Sequence, residues 1–175
     1  MKFIDLCLTR ESCRSYDAER KIPEDVLSEI IECARLSPSA CNGQPYHITV
    51  CEGDCAKRIA KATQGMGMNG FASDAPVLIV ISEEKYVKTA ALGSKVKGID
   101  YRSIDIGILS AHITLAAAEL GVGSCILGWL DSDDIVKELS LEGRVHLVIT
   151  LGYPKENKPP REKKRKSLDQ LVSRK

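Results

Sequence analysis

Two groups of basic residues in this chain have the types and spacing needed to bind a phosphate group. Arg10 and Arg14, with Ser12 between them, place two guanidinium groups and a hydroxyl donor within five residues. An uninterrupted basic run near the other end consists of Lys163, Lys164, Arg165 and Lys166. The first group is also typical of a solvated face with a salt bridge, and the second of a nucleic-acid contact. The residue types favour an anionic ligand without identifying it.

A loop in the first third of the chain has the composition of a ligand-binding segment. Residues 37–45, SPSACNGQP, are small or carry hydroxyl and amide groups, and they directly precede a β-rich run. Such a loop can present backbone N–H groups and the side chains of Asn42 and Gln44 to the edge of a planar heteroaromatic ligand. A plain turn is the alternative interpretation. Together with the basic groups, the loop suggests a ligand that is both anionic and planar.

The patterns of several common catalytic and metal sites are missing from the sequence. There is no GxSxG, HExxH or P-loop motif, and residues 121–123 lie between a predicted helix and strand, where a dinucleotide fingerprint does not occur. Seven scattered cysteines, an odd number, indicate reduced thiols and a cytoplasmic location. Cys51 and Cys55 lack further ligands at zinc or iron–sulfur spacing. We therefore predict no metal site and name no catalytic side chain. The three histidines lie in apolar runs, which predicts core positions.

Length and composition predict a single domain over residues 1–175. The content of 43% hydrophobic and 28% charged residues is ordinary for a globular protein. The net charge of +1 conceals an asymmetry, because residues 155–175 hold 9 Lys/Arg against 3 Asp/Glu, and residues 1–154 hold 16 against 21. This basic tail is expected to meet an anion. No leader with a long apolar region is visible, so neither export nor a membrane partner is expected.

A long apolar helix over residues 103–120, closed by Gly121, is the strongest structural signal. Its apolar residues occupy nearly every face, which predicts a core helix, or one with a face covered by a second subunit. Residues 85–102 give no clear element and are expected to be partly mobile. Periodicity and capping residues predict further helices at 4–8, 23–36, after Asp54 and up to 139, and strands at 46–51, 77–81, 123–130 and 145–151. This order favours an α/β or α+β fold with a sheet covered by helices.

Five groups of motifs, in order along the chain, resemble the FMN-dependent nitroreductase family. They are RESCR at 10–14, ARLSPSACNGQPY at 34–46, DAPV at 74–77, the helical set DIG, LAA and ELGVGSC between 105 and 125, and LGYP at 151–154 before the basic tail. No single motif is specific, but the five in sequence are. The resemblance extends from about residue 3 to the end of the chain.

The resemblance implies an α+β nitroreductase-like fold: a central mixed β-sheet surrounded by helices, in an intertwined homodimer with two FMN molecules at the subunit interface. The helix at 103–120 would belong to that interface, and residues 155–175 would wrap the partner subunit. The implied FMN-binding residues are Arg10, Ser12 and Arg14 for the phosphate and ribityl chain, Lys163 and Arg165 for the same phosphate, Pro38, Ser39, Ala40 and Asn42 for the flavin ring from the other subunit, Asn69 near the ring, and Leu127 and Gly128, whose backbone approaches flavin N5.

The implied function is an FMN-dependent oxidoreductase. NADH or NADPH would pass hydride to flavin N5, and a nitroaromatic, quinone or similar small acceptor would then use the same slot, which gives ping-pong kinetics. One alternative is a flavin-site relative that performs reductive dehalogenation or flavin breakdown. Another is a non-enzymatic binding protein whose tail contacts nucleic acid, although nucleic acid is not the expected partner.

Four features depart from the usual family pattern. Trp129 stands where many relatives have glycine, Tyr46 where many have tryptophan, and Ser167 where proline is frequent. The region 85–102 is short compared with members that carry a helical lid over the flavin. These departures affect the expected acceptor rather than the expected cofactor.

Overall fold

The computed structural model describes residues 2–155 and 161–175, which form a β-sheet with helices on both faces. Across the sheet the strand order is β1-β2-β4-β3. The strands are β1 Tyr46–Glu52, β2 Val77–Glu83, β3 Gly123–Leu127 and β4 Val145–Gly152. The helices are α1 Phe3–Thr9, α2 Glu24–Arg35, α3 Gly53–Ala62, α4 Lys88–Lys97, α5 Tyr101–Glu119, α6 Ser132–Leu139 and α7 Leu168–Leu171. No helix within the described ranges is long and apolar enough to cross a membrane.

The four strands pair in antiparallel fashion, which corrects one detail of the predicted α+β fold, the mixed sheet. Glu52 at the end of β1 pairs with Val77 at the start of β2, so the chain returns to the end of the sheet that it has just left. It does so because α3 carries it away and short 3-10 turns at 65–74 bring it back. Among the residues described, the only parallel pairing is an isolated bridge between Ser12 and Ser124. The predicted central sheet with surrounding helices is confirmed.

Two apolar layers cover the two faces of the sheet. Strand β2, VLIVISE, is buried almost throughout, and its alternate residues point to opposite faces. Leu78 and Val80 belong to the layer formed with α3, α6 and Tyr16. Ile79 and Ile81 belong to the layer formed with α2 and α5. The prediction that residues 77–81 form a strand buried on both faces is therefore confirmed.

The long helix α5 buries one face and exposes another. The buried residues are Asp105, Ile106, Leu109, Ser110, Ile113, Thr114 and Ala117. On the other side, an apolar stripe that we call the α5 stripe remains exposed or half-buried and consists of Ile104, Ile108, Ala111 and Leu115. Beside it, helix α1 exposes Phe3, Ile4 and Leu8. The predicted core helix is confirmed for one face, and the described chain offers no cover for the α5 stripe.

Residues 88–97, where the sequence gives no clear element, form helix α4. The helix ends at Gly98, whose φ of 66° is the left-handed conformation typical of a C-cap. The internal Gly93 and the exposure of Leu92 and Val96 explain why periodicity does not reveal this helix. Region 85–102 therefore contains a helix, although it is short. Helix α4 lies beside residues 40–42.

The apolar surroundings of the three histidines predict core positions, and this prediction is wrong. His47 is exposed because β1 is an edge strand. His112 is half-buried, with Nδ1 at 2.9 Å from the carbonyl oxygen of Ile108. His146 Nε2 lies 3.0 Å from the carboxylate of Glu83, which forms a network at the end of β2.

Candidate functional site

The two basic groups of the sequence meet at one cavity of about 310 Å³, which we call the cationic cavity. It is lined by Arg10, Glu11, Ser12, Arg14, Arg161, Glu162, Lys163, Lys164 and Arg165. The five residues predicted to bind a phosphate are therefore brought together, although they come from opposite ends of the chain. The local sequence around either basic group does not predict that the two groups lie next to each other.

Helix α1 and the edge strand β3 position the first basic group. Arg10 is the C-cap of α1, and the chain then runs beside β3, where Ser12 bridges Ser124. The N–H of Cys13 donates to the carbonyl oxygen of Ser124 at 2.8 Å. In an extended chain, residues two apart project to the same side. Arg10, Ser12 and Arg14 therefore share the side that lines the cavity.

Arg161 fastens the basic tail to the body of the protein. Its Nε donates to Glu11 Oε2 at 2.8 Å, and its Nη2 donates to the carbonyl oxygen of Ser12 at 2.8 Å. Lys163 donates to the carbonyl oxygen of Arg10. The sequence analysis does not single out Arg161, because its partner Glu11 lies 150 positions away. The only local signal for Arg161 is its place in the basic tail.

The cationic cavity carries a large excess of positive charge. Six basic and two acidic side chains line it. Burial, and then the charge of Arg10, lower the pKa of Lys163. The hydrogen bond from Arg161 lowers the pKa of Glu11 against the effect of burial. Like charges held together repel each other, so a bound phosphate dianion would stabilise this cluster.

Three of the residues predicted to contact the flavin ring lie together at the end of β3. Leu127 is the last residue of β3, and Gly128 follows it on the surface. Gly128 is four residues from Ser124, or about 13 Å along an extended strand. The side-chain amide of Asn69 donates to the carbonyl oxygens of Thr63 at 3.0 Å and Trp129 at 3.2 Å. This leaves Asn69 Oδ1 as the group that can accept a hydrogen bond from a ligand.

The predicted loop of Pro38, Ser39, Ala40 and Asn42 does not line the cationic cavity of the same chain. Its backbone is strained, because Cys41, Asn42 and Gln44 adopt φ values of 52°, 51° and 43°. Ser39 Oγ accepts from the N–H of Gln44 at 3.0 Å. The buried Asp105 of α5 accepts from the N–H of Ala40 at 3.0 Å. The loop is thus held near the start of α5.

Removal of the Asp105 carboxylate is expected to destabilise this loop. Asp105→Ala leaves the partly buried N–H of Ala40 without its acceptor, and an unmade hydrogen bond costs about 1 to 3 kcal/mol when it is fully buried. The free energy of unfolding, measured in urea, should fall by up to about 1 kcal/mol, the lower end of that range. The matched variant Asp105→Asn keeps an oxygen that can accept from Ala40 and should lose less. Wild-type stability in the alanine variant would contradict this role.

A larger cavity, of about 480 Å³, lies at the opposite end of the central strands. Among its lining residues, Glu83 accepts from Arg102 at 2.6 Å and lies 3.0 Å from His146. The hydrogen bond with His146 is the main cause of the lowered pKa of Glu83. Glu83 is therefore paired with two neighbouring side chains, and no predicted site residue lines the cavity. In residues 2–155 and 161–175, no cluster of His, Cys, Asp and Glu is arranged to hold a metal ion.

Comparisons with known proteins identify a family and several relatives of this chain. The model of the nitroreductase family matches residues 8–153. A protein of Archaeoglobus fulgidus, named provisionally as an NADH dehydrogenase/NAD(P)H nitroreductase, is 32% identical over 162 residues, which cover 89% of this chain and 87% of the relative. An oxygen-insensitive NADPH nitroreductase of Helicobacter acinonychis is 26% identical, with 99% of each chain covered.

A solved structure shares the fold over its whole length. It comes from Exiguobacterium sibiricum, is described provisionally as a nitroreductase in complex with FMN, and superposes with a TM-score of 0.83. The match covers 100% of this chain and 98% of the solved chain. Because the sequences are only 18% identical, the match shows the fold alone. Because the family model spans most of the sequence, and because the relatives align over nearly their full lengths, the chain belongs to the nitroreductase family of oxidoreductases.

Proposed function

We propose that the chain is an FMN-dependent oxidoreductase that passes hydride from NADH or NADPH to a nitroaromatic, a quinone or a similar small acceptor. The cationic cavity is the observation that carries the proposal, since it offers a phosphate site beside β3. A protein of the same fold is described with FMN bound, and a family member that is 26% identical is named an NADPH nitroreductase, so FMN and a nicotinamide reductant are the cofactors proposed here. Reductant and acceptor would occupy the same slot in turn, so ping-pong kinetics are expected.

The residues of the cationic cavity fit the phosphate of FMN. The guanidinium groups of Arg10 and Arg14 can donate paired N–H groups to phosphate oxygens, and Ser12 adds a hydroxyl donor. Lys163 and Arg165 would complete the enclosure from the tail, which Arg161 already fastens. The protein therefore presents an excess of donors and positive charge where a phosphate is needed.

The end of β3 is the proposed place of the flavin ring. Leu127 is buried and can support the ring edge, while the exposed Gly128 allows a flat ligand to approach the backbone closely. Asn69 is held in place by two carbonyl oxygens and can accept from the ring. Bound FMN would supply the two-electron hydride chemistry. The chain's own residues bind and orient it, and none of them is proposed to move a proton.

The proposal includes a homodimer. The α5 stripe and the exposed residues of α1 are apolar, and their burial against a second copy would remove them from water at about 25 cal/mol per Å². Residues 38–42 lie near the start of α5, so a second copy packed along this helix would bring its own loop into the interface. Leu168 and Leu171 of α7 are also largely exposed, as expected for a tail, 155–175, that wraps a partner.

The contacts of the basic tail disfavour the alternative function, in which the tail is an arm that binds nucleic acid. Arg161 and Lys163 bind the carboxylate of Glu11 and backbone carbonyl oxygens of the body. These contacts fold the start of the tail against the protein and surround a small cavity, which favours a small anion over an extended polymer.

Arg14→Ala is expected to weaken FMN binding by about 10- to 100-fold, because a hydrogen bond to a charged group contributes about 1.5 to 3 kcal/mol. Flavin absorbance retained after gel filtration measures the loss. Arg35→Ala is the matched control, since Arg35 is exposed and pairs with Glu32 on the same helix, at 2.6 Å. Riboflavin, which lacks the phosphate, should bind both variants equally weakly. If Arg14→Ala retained as much FMN as the control, the phosphate assignment would be refuted.

A further inference from the structure

The amine of Lys163 has surroundings that differ from those of its neighbours in the tail. Lys163 is half-buried, whereas Lys164 and Lys166 are exposed. Its Nζ donates to the carbonyl oxygen of Arg10, which holds the amine at the edge of the cationic cavity. Burial, and then the positive charge of Arg10, lower the pKa of Lys163. A lysine with a lowered pKa carries a neutral, nucleophilic amine in a larger fraction of molecules.

The cavity beside this amine is lined by donors that suit a phosphate group. Arg10, Ser12 and Arg14 offer guanidinium and hydroxyl groups, which bind phosphate oxygens whatever the phosphate is attached to. With a volume of about 310 Å³, the cavity has room for a phosphate and a short substituent. A phosphate bound there places its substituent close to the lining residues, one of which is Lys163.

A small acyl phosphate carries both groups that such a site can use. Its phosphate dianion suits the guanidinium groups, and the carbonyl carbon next to the phosphate is an activated electrophile. The neutral amine of Lys163 would attack this carbon and form an amide C–N bond, while the bond from the carbon to the phosphate oxygen breaks. Inorganic phosphate leaves with the bonding electron pair and takes up the proton that the amine loses. The step needs no other reactant.

We infer that Lys163 is a site of acylation by small acyl phosphates, directed by the phosphate donors of the cationic cavity, and that this modification impairs FMN binding. The effect on FMN rests on the proposed function, whereas the acylation rests on the contacts of Lys163 and the cavity alone. An acylated lysine is uncharged and loses its charge-assisted bond to the phosphate, so the affinity for FMN should fall by about 10- to 100-fold. Bound FMN fills the cavity and protects the amine.

The first test treats the full chain, freed of flavin, with acetyl phosphate and follows each lysine by peptide mass spectrometry. Lys163 should react on the order of tenfold faster than Lys166, because the bound phosphate brings the carbonyl carbon to its amine. Lys166 belongs to the same tail but does not line the cavity. FMN and inorganic phosphate should each protect Lys163 and leave the rate at Lys166 unchanged. Equal rates at the two lysines, or no protection by inorganic phosphate, would overturn the inference.

A second reagent separates direction by the cavity from simple reactivity of the amine. The N-hydroxysuccinimide ester of acetic acid transfers the same acetyl group without a phosphate, so its preference for Lys163 over Lys166 should be several times smaller. Arg14→Ala should reduce the preference shown by acetyl phosphate, and Arg35→Ala should leave it unchanged. A preference that is equal for both reagents would overturn the role of the cavity.

The inference and the proposed function fail in different ways. A protein that binds FMN but shows no preference for acetylation at Lys163 would overturn the inference and leave the proposed function intact. A protein that is acetylated preferentially at Lys163 but binds no FMN would refute the proposed function and support the acylation site. Unchanged FMN affinity after acetylation of Lys163 would overturn the effect of the modification on the cofactor.

Discussion

Reversing the charges of Lys163 and Arg165 together is expected to lower the affinity for FMN by about two to four powers of ten. Each of these groups is proposed to donate to the phosphate, and a hydrogen bond to a charged group contributes about 1.5 to 3 kcal/mol. At about 1.4 kcal/mol per tenfold change, two lost bonds account for this range before repulsion by the new carboxylates is added. FMN titrated into Lys163→Glu/Arg165→Glu apoprotein measures the change.

A second double variant separates a specific contact from a general effect of charge. Lys166→Glu/Arg174→Glu makes the same change in net charge within the tail, at residues that do not line the cationic cavity. It should bind FMN almost as the wild type does. Wild-type affinity in Lys163→Glu/Arg165→Glu would refute the role of the tail. A salt-dependent affinity for DNA or RNA that disappeared with the reversal would favour the nucleic-acid alternative instead.

Ala117→Glu is expected to abolish folding. Ala117 has no exposed surface and packs in the layer between the sheet and helices α2 and α5. A buried, unpaired carboxylate costs several kcal/mol or more, which is comparable to the whole stability of a typical domain, about 5 to 15 kcal/mol. Circular dichroism and soluble yield report the loss. The structure places Ala117 on the face of α5 that packs in the core of its own subunit, not on a face left for a second subunit.

Ala111→Glu makes the same chemical change on the exposed side of α5. Ala111 belongs to the α5 stripe, so a glutamate there should leave the subunit folded and prevent association with a second copy. Sedimentation at micromolar concentration should then show a monomer that has lost most of its flavin. A dimer that keeps its flavin in this variant would contradict an interface along α5.

Local patterns in the sequence predict the elements whose burial is uniform. Strand β2 is an unbroken apolar run because helices cover both of its faces, and this environment leaves a clear signal in VLIVI. Helix α5 is predicted because apolar residues occupy nearly every face of it, although only one face is buried in its own subunit. Arg10, Ser12 and Arg14 are recognised because they are close in sequence. Their extended conformation, which aligns them on one side, depends on pairing with Ser124 and has no local signal.

Features that depend on contacts between residues far apart in the sequence cannot be predicted from local sequence patterns. The antiparallel direction of the sheet follows from the path of the chain between strands, not from the composition of any strand. The choice of which apolar residues on α5 face inward depends on where the sheet lies. Arg161 forms a hydrogen bond with Glu11, which lies 150 positions away in the sequence. Asp105 accepts a hydrogen bond from the N–H of Ala40, which lies 65 positions away. Helix α4 exposes its two large apolar residues, Leu92 and Val96, so the apolar pattern of its sequence does not indicate the side that faces the core.

The strand order also constrains how the chain can fold during its synthesis. Strand β2 lies between β1 and β4, and β4 begins only at Val145. A nascent chain that ends before this residue has one edge of its most apolar strand unpaired, a state that favours association with other chains. The buried hydroxyl of Tyr16 shares a hydrogen bond of 2.7 Å with Thr150, and this bond also cannot form until β4 has been synthesised. Ribosomal synthesis of nearly the whole domain must therefore precede closure of the sheet, and the unpaired edge of β2 is what a chaperone would have to shield until then.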